Sequence, residues 1–364
     1  MEIGLFQSKK ITSVSIVPVN GQYELFGDTT FIRLIKQGDV LNIKSIGELV
    51  TVTSSEFISQ KFSELKLIPK INNSSLKYTP KGGGKSREYR DGAIIRGVSS
   101  KLRIINSVTM NNYLSGVIES EGGGGKHIEY YKVQALMSRT YALKNINRHK
   151  EAGFQLCDDV HCQAYHSQLR YTPKINDAVK ETEGKILVDS KNKLVTTYFA
   201  ANCGGETCDA SNVWNTSVWY LQPFVDTFCV NTRQATWTKK VKKSSWKNFI
   251  EQEYGIYEEN FGEWFYNFKQ EQRKAFYIHP SLGIPLRDLR REFRLKSTFF
   301  STHEDGDYVV LEGRGFGHGV GLCQEGAMGM ATYGYNYDQI ARFYFNQVRV
   351  IDYYKEVFFQ QEVE

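Results

Sequence analysis

Over the first 90 or so residues, short runs of alternating apolar and polar positions predict a series of strands. Ile11 to Val19 is β-branched and alternating, and Asn20-Gly21 follows as a type I′ hairpin signal before Gln22 to Phe26. Phe31 to Ile35, a Lys-Gln-Gly-Asp turn and Val40 to Ile46 repeat the pattern, and Leu49 to Thr53 adds another strand. Pro80-Lys81-Gly82-Gly83-Gly84-Lys85 interrupts the series as a linker or exposed turn. Residues 1–88 therefore read as a small β-rich N-terminal module, and 89–364 as the main domain.

Strand-like segments at Ala93 to Val98 and Leu102 to Val108 open the second region. A long helix is expected over Ile128 to Arg148, a stretch rich in helix formers and free of Gly and Pro. Val133, Leu136, Met137 and Leu143 cover one side of it, and Ile128, Ala135, Ala142 and Ile146 an adjoining one, which predicts burial over much of its circumference. Arg139 falls on the second stripe, and a buried guanidinium needs a carboxylate or several carbonyl partners. Two strands are expected between 185 and 200, and a helical, aromatic-rich insertion at about 239–285. Leu295 to Thr302 and Tyr308 to Leu311 read as strands hinged at Glu304-Asp305-Gly306-Asp307. A short helix after Gln324, a segment Tyr337 to Phe345 and a strand Val348 to Tyr353 close the chain. Strands and helices without a βαβ repeat predict an α+β fold: a mixed antiparallel sheet and helix core with the β-rich module attached.

Composition narrows the class. With 364 residues, 41% hydrophobic and 13% aromatic, the chain can bury a large core. The net charge of +6 is mild for this length, and the densest basic run, Lys239-Lys240-Val241-Lys242-Lys243, is short enough to be a solvated face, so nucleic acid is not expected as a partner. No window approaches the roughly 20 apolar residues of a membrane span. The first residues lack the apolar core of a secretory signal.

Four groups of residues carry candidate chemistry. An apolar stretch, Tyr113 to Ile118, delivers Glu119 and Glu121 to a run of four glycines just before the long helix. A loop acid held by a rigid helix suits general acid work, since burial raises its pKa; the alternative is a helix cap or a structural partner for Arg139. Glu119, two residues away, is the competing carboxylate. Glycine recurs at every second position from Gly313 to Gly321, and an extended chain would put Arg314, Phe316, His318 and Val320 on one face and leave the other bare for a polymer or another strand. Cys157, His161 and Cys162, with His149 eight residues before the first, offer a tetrahedral set suited to structural zinc; a Cys157–Cys162 disulfide is the alternative. Four such ligands would leave no open position for a catalytic water. Finally, Gly204 and Gly205 follow Cys203 near Trp214, Trp219 and Tyr220, a grouping seen on sugar-binding surfaces and also in cores.

In this order the motifs resemble the stage II sporulation protein D (SpoIID/LytB) family. The resemblance covers residues from about 90 to 350 and rests on YLSGVIESE leading into KVQALMSRTYAL, on the CGG loop, and on GRGFGHGVGLCQEGAMGMATYGYNYDQIARFYF. It implies a SpoIID-like fold and a lytic transglycosylase that cuts the glycan strands of peptidoglycan, denuded of stem peptides, to leave 1,6-anhydro ends. The alternative it carries is a non-catalytic amidase enhancer that binds the wall and serves a cell-wall amidase. The family's catalytic glutamate falls on Glu121, with Arg139, Gly204, Gly205, His318 and Gln324 as substrate-side positions. Family members often have methionine where this chain has Gly122, and serine where it has Cys323. Some carry zinc near Cys157 to Cys162. No organic cofactor is implied, and the substrate implies an extracytoplasmic location.

Overall fold

Val14, Ile16, Leu41, Ile43, Val50 and Val52 occupy alternate positions of three strands and are fully shielded from solvent, so these strands turn one face to a common core. In the computed structural model, which describes residues 1–55, 60–82 and 84–355, they belong to an α+β chain that divides into two units. The first comprises Met1 to Ile186 with the chain from Asp352 onward, and the second Leu187 to Ile351.

The first unit begins with twelve strands: β1 (Glu2–Leu5), β2 (Ser13–Asn20), β3 (Tyr23–Gly27), β4 (Thr30–Ile35), β5 (Leu41–Ile46), β6 (Leu49–Thr53), β7 (Gln60–Phe62), β8 (Glu64–Pro69), β9 (Ser75–Pro80), β10 (Arg87–Arg90), β11 (Gly92–Val98) and β12 (Lys101–Ser107). Helices α1 (Met110–Gly122) and α2 (Ile128–Lys144), strand β13 (Leu156–Cys157) and helix α3 (Lys174–Glu181) follow. The strands form two sheets, ordered β13-β1-β12-β11-β8-β3-β4 and β10-β9-β2-β5-β6-β7, and α1, α2 and α3 pack on one another.

Two expectations change here, the Asn20-Gly21 hairpin and the end of the long helix. The Asn20-Gly21 turn does not close a hairpin, because β2 pairs with β5 and β9 while β3 pairs with β4 and β8. The turn passes the chain between sheets, and position 21 needs glycine because its φ is +78 and a Cβ there would lie 2.0 Å from Ser74 Oγ. The break at Pro80 to Lys85 joins β9 to β10, which pair with each other; Gly83 lies outside the described residues. Residue 88, the expected domain boundary, therefore sits inside β10, and β8 on one side of it pairs with β11 on the other. The long helix stops at Lys144, and eleven of its residues, Arg139 among them, are buried, so the expected burial around its circumference is observed.

β14 (Lys185–Val188) carries the chain into the second unit. There β15 (Phe199–Ala200), α4 (Ser211–Trp214), β16 (Thr236–Lys242), α5 (Lys243–Tyr254), α6 (Leu286–Glu292), β17 (Phe300–Asp305), β18 (Tyr308–Arg314), β19 (Leu322–Cys323), α7 (Gln324–Thr332) and α8 (Tyr337–Tyr344) follow in order. β16, β18 and β17 make a three-stranded sheet over a core that includes Trp246, Phe265, Tyr277 and Leu289. The aromatic content expected of 239–285 is the wall of this core. Its helical content is confined to α5 and short 3-10 turns, since β16 takes up Lys239 to Lys242.

Candidate active site

Glu121 sits on a helix rather than in a loop. Thr109 caps α1 from an extended conformation (φ −67°, ψ 152°) and accepts the Asn112 N–H at 3.3 Å. Tyr113, Leu114, Val117 and Ile118 bury one face, and Gly123 ends the helix at φ +64°. Consecutive residues of a helix turn by about 100°, so Glu119 and Glu121 lie on nearly opposite sides. A strap of chain at 164–172 wraps this end of α1. Ala164 N–H donates to Glu121 Oε1 at 2.8 Å, and His166 N–H to Ser120 Oγ at 3.2 Å. Arg170, Tyr171 and Thr172 donate their backbone N–H groups to the Glu119 carboxylate at 2.7, 2.9 and 2.9 Å. Gly116 permits this wrapping: a Cβ there would fall 2.4 Å from the Ser167 carbonyl oxygen and 2.5 Å from the Tyr165 ring.

The two carboxylates thus divide their duties. Glu119 is engaged by three main-chain donors and ties down the strap. Burial raises the pKa of Glu121, and the Ala164 N–H only partly offsets it. A half-buried carboxyl with one donor and a raised pKa keeps its proton to higher pH than an ordinary glutamate and can give it up, which suits a general acid. Gly122 has a local reason of its own, since a Cβ there would sit 2.9 Å from the Tyr130 hydroxyl.

His149, Cys157, His161 and Cys162 come together as the sequence spacing suggested. Their ligand atoms lie within 4.8 Å of one another, and all the cysteines are free thiols. Cys162 Sγ is 3.4 Å from His149 Nε2, and His161 Nδ1 is 3.8 Å from Cys157 Sγ and 3.9 Å from Cys162 Sγ. Sulfur and nitrogen ligands around one tetrahedral zinc stand about 3.5 Å apart, so the donor set fits such an ion. β13 holds Cys157 beside Gly4, and Asp158 fixes the following loop by accepting from Phe6 N–H and Arg87 Nη1, both at 2.7 Å.

Arg139 and His318, among the remaining expected site residues, hold main chain. Arg139 is 3% exposed, and its guanidinium donates to the carbonyls of Val179 (3.2 Å) and Lys185 (3.1 Å). In the second unit, the glycine run is not an extended strand with a bare face for a polymer. Gly315, Gly317, Gly319 and Gly321 take φ of +76, +109, +76 and +72. Cβ atoms would meet Asn202 O at 2.6 Å from position 315, Ala200 Cβ at 2.9 Å from 317 and Tyr198 O at 2.3 Å from 321. The partner that approaches closely is the protein's own segment 198–202. Gly204 backs onto the Arg314 carbonyl carbon (2.8 Å from a Cβ), and neighbouring Gly205 takes φ +94. His318 accepts the Val320 N–H at Nδ1 (3.0 Å) and bonds to the Phe199 backbone; burial and the nearby Arg290 and Arg273 lower its pKa to about 4. Trp214, 40% exposed, lies beside it and stacks on Tyr198 with ring centroids 4.2 Å apart. Gln324, 8% exposed, keeps its Nε2 without a hydrogen-bond partner among the described residues.

Sequence reasoning missed α1 and the strap 164–172. The helix had a readable signal in the Thr109 cap and the spacing of Tyr113, Leu114, Val117 and Ile118. The strap had none, because its contacts are main-chain donors.

Comparison with known proteins places residues 98–188 in a match to the family model described as Stage II sporulation protein, SpoIID. A protein of unassigned role from Brachyspira hyodysenteriae is 29% identical over 321 residues, which cover 82% of this chain and 85% of that one. Stage II sporulation protein D of Bacillus subtilis is 27% identical over 273 residues, 68% of this chain and 75% of its own length. An amidase enhancer of Bacillus subtilis is 24% identical over 284 residues, 64% of this chain and 39% of that protein.

Proposed function

The chain belongs to the SpoIID family, and from that premise we propose that it is a lytic transglycosylase acting on peptidoglycan glycan strands, with Glu121 as its acid. One observation carries the reading. Of the two carboxylates on the last turn of α1, Glu119 is occupied by three N–H donors, while Glu121 has one donor and a pKa raised by burial. Hydrolytic glycosidases need a second carboxylate to activate water or attack the sugar. A lytic transglycosylase needs one, since the C6 hydroxyl of N-acetylmuramic acid is already held near the anomeric carbon. Glu121 protonates the glycosidic oxygen as the bond to N-acetylglucosamine breaks. It then accepts the C6 hydroxyl proton as the 1,6-anhydro ring closes, and so returns to its starting state.

Of the residues expected on the substrate side, exposed Trp214 offers a flat ring to an apolar sugar face, while the Gln324 amide nitrogen is buried and supports the site from within. Arg139, Gly204, Gly205 and His318 act through the loops they hold. The His149, Cys157, His161 and Cys162 group is read as a structural zinc site next to the strap that bonds Glu121; a closed four-ligand shell would supply rigidity and no chemistry. Glycan strands free of stem peptides are the substrate, and the place of action is outside the cytoplasm.

The similarity to an amidase enhancer favours a second reading, in which the chain binds wall glycan and stimulates an amidase without cutting. Mass spectrometry of amidase-treated peptidoglycan after incubation with the protein separates the two. Anhydro-muramic ends with the native chain and none with Glu121→Gln support the transglycosylase. Reducing ends would mean that water is the acceptor, and intact strands would favour the enhancer.

A further inference from the structure

The cysteines not used above converge on one point of the second unit. The Sγ atoms of Cys203, Cys229 and Cys323 and a carboxylate oxygen of Asp226 all lie within 4.8 Å of one another, and all four residues are buried. Cys203 Sγ is 3.4 Å from Cys229 Sγ and 3.3 Å from Asp226 Oδ2. We propose that Cys203, Asp226, Cys229 and Cys323 bind a zinc ion as a second structural site.

Three features support an ion over a set of buried thiols. The first is spacing. Around one tetrahedral zinc, sulfurs stand about 3.8 Å apart and sulfur and oxygen about 3.5 Å, close to the distances found. The second is the ring of donors. Cys323 Sγ accepts the N–H groups of Cys203 and of Gly326, both at 3.3 Å, the latter in the first turn of α7. Asp226 accepts from Phe228 N–H and from the Tyr344 hydroxyl, both at 2.9 Å. Donors aimed from outside at sulfur and carboxylate are the second shell that a metal-bound anion needs. The third is charge. Arg273, which reaches this loop, gives its Nη2 to the Cys203 carbonyl at 2.5 Å, so the anionic atoms are left for another cation. A Cys203–Cys229 disulfide would account for two sulfurs and leave the third, with its two donors, unexplained. Packing is fitted to the same point: a Cβ at Gly326 would lie 2.5 Å from Asp226 Oδ2 and 2.2 Å from the Tyr344 hydroxyl.

Thiolate-rich sites select zinc over calcium or magnesium. Binding takes Zn²⁺ from the medium and releases to solvent the proton of each thiol that was protonated; no electron moves. The ion would join the loop at 203, the turn at 226–229 and the start of α7.

Native mass spectrometry of the full chain, purified with zinc and without chelator, tests this. Two zinc ions per chain are expected, falling to one in Cys323→Ala and to one in Cys157→Ser/Cys162→Ser. X-ray absorption of the zinc kept by the latter should show three sulfurs and one oxygen. Because a variant could unfold, the unaltered chain is decisive on its own. No zinc in it, a single zinc whose X-ray absorption shows two sulfurs and two nitrogens, or recovery of Cys203 and Cys229 as a disulfide from protein handled without oxidant, overturns the proposal.

Discussion

Ala164 gives its backbone N–H to Glu121 across 2.8 Å, two residues beyond Cys162. The Glu121 carboxylate is therefore positioned by a segment of chain that leaves the candidate zinc group directly, as well as by its own helix.

Replacing Glu121 by Gln should abolish cleavage while preserving the fold, since the amide oxygen can still accept from Ala164. A loss of about 10²–10⁴-fold in kcat is expected for a general acid, read as anhydro ends released per unit time. A working acid must be protonated, so native activity should fall as pH rises through the raised pKa of Glu121, above the ordinary value of about 4.3. Stability has the same sign: ionising a buried carboxyl costs the folded state, and the cost is present above its folded pKa and vanishes as pH falls through it. Glu121→Gln should thus melt no lower than the native chain at neutral pH, with any gain lost toward about pH 4. A melting temperature well below native at neutral pH would mean the carboxylate is a structural ion.

Glu119→Ala should do the opposite. Three N–H groups lose a charged acceptor, though water can reach them, and the cost should be on the order of 2 kcal/mol. Urea unfolding measures it, and faster amide exchange at residues 170–172 localises it. Activity per folded molecule should fall less than in Glu121→Gln.

His318 should not titrate across the physiological range. Its pKa is lowered to about 4 from the ordinary 6.5 of a histidine, so the unfolded chain takes up this proton first as pH falls. The stability it contributes is whole above about pH 6.5 and is lost as pH drops toward about 4, on the order of 3 kcal/mol in all. His318→Asn should flatten that part of the stability profile, and an imidazole NMR titration with a midpoint above about 6 would contradict the assignment.

If zinc holds the first group, chelation should loosen the strap. Hydrogen exchange at Ala164 to Thr172 should rise, cleavage should fall, and both should recover on adding zinc. Cys162→Ser should show the loosened state without recovery. Unchanged exchange after complete metal removal would separate the ion from the acid's support.

Legibility followed the range of the contacts. α2 was readable because 17 residues without Gly or Pro propagate a helix from local preference alone. The first metal group was readable because three of its ligands fall within six residues. α1 was not read, and with it the placing of the two acids: an extended chain would put Glu119 and Glu121, two residues apart, on one face, and only a helix, turning them by about 200°, sets them on opposite sides. The glycine run showed its period but not its φ, and an extended chain and a ribbon of left-handed glycines share a repeat of two. Cys203 is 26 residues from Cys229 and 120 from Cys323, separations at which spacing carries no signal.

The ribbon from Gly315 to Gly321 also bears on how such chains can diverge. At 315, 317 and 321 both the φ and the occupied space exclude a side chain, whatever happens at Glu121. A chain in which position 121 carried no carboxylate would still have to keep these glycines to fold. The motif that marks the lineage most visibly is thus silent on whether a given member cuts, and the residue to inspect is the glutamate two positions before Gly123.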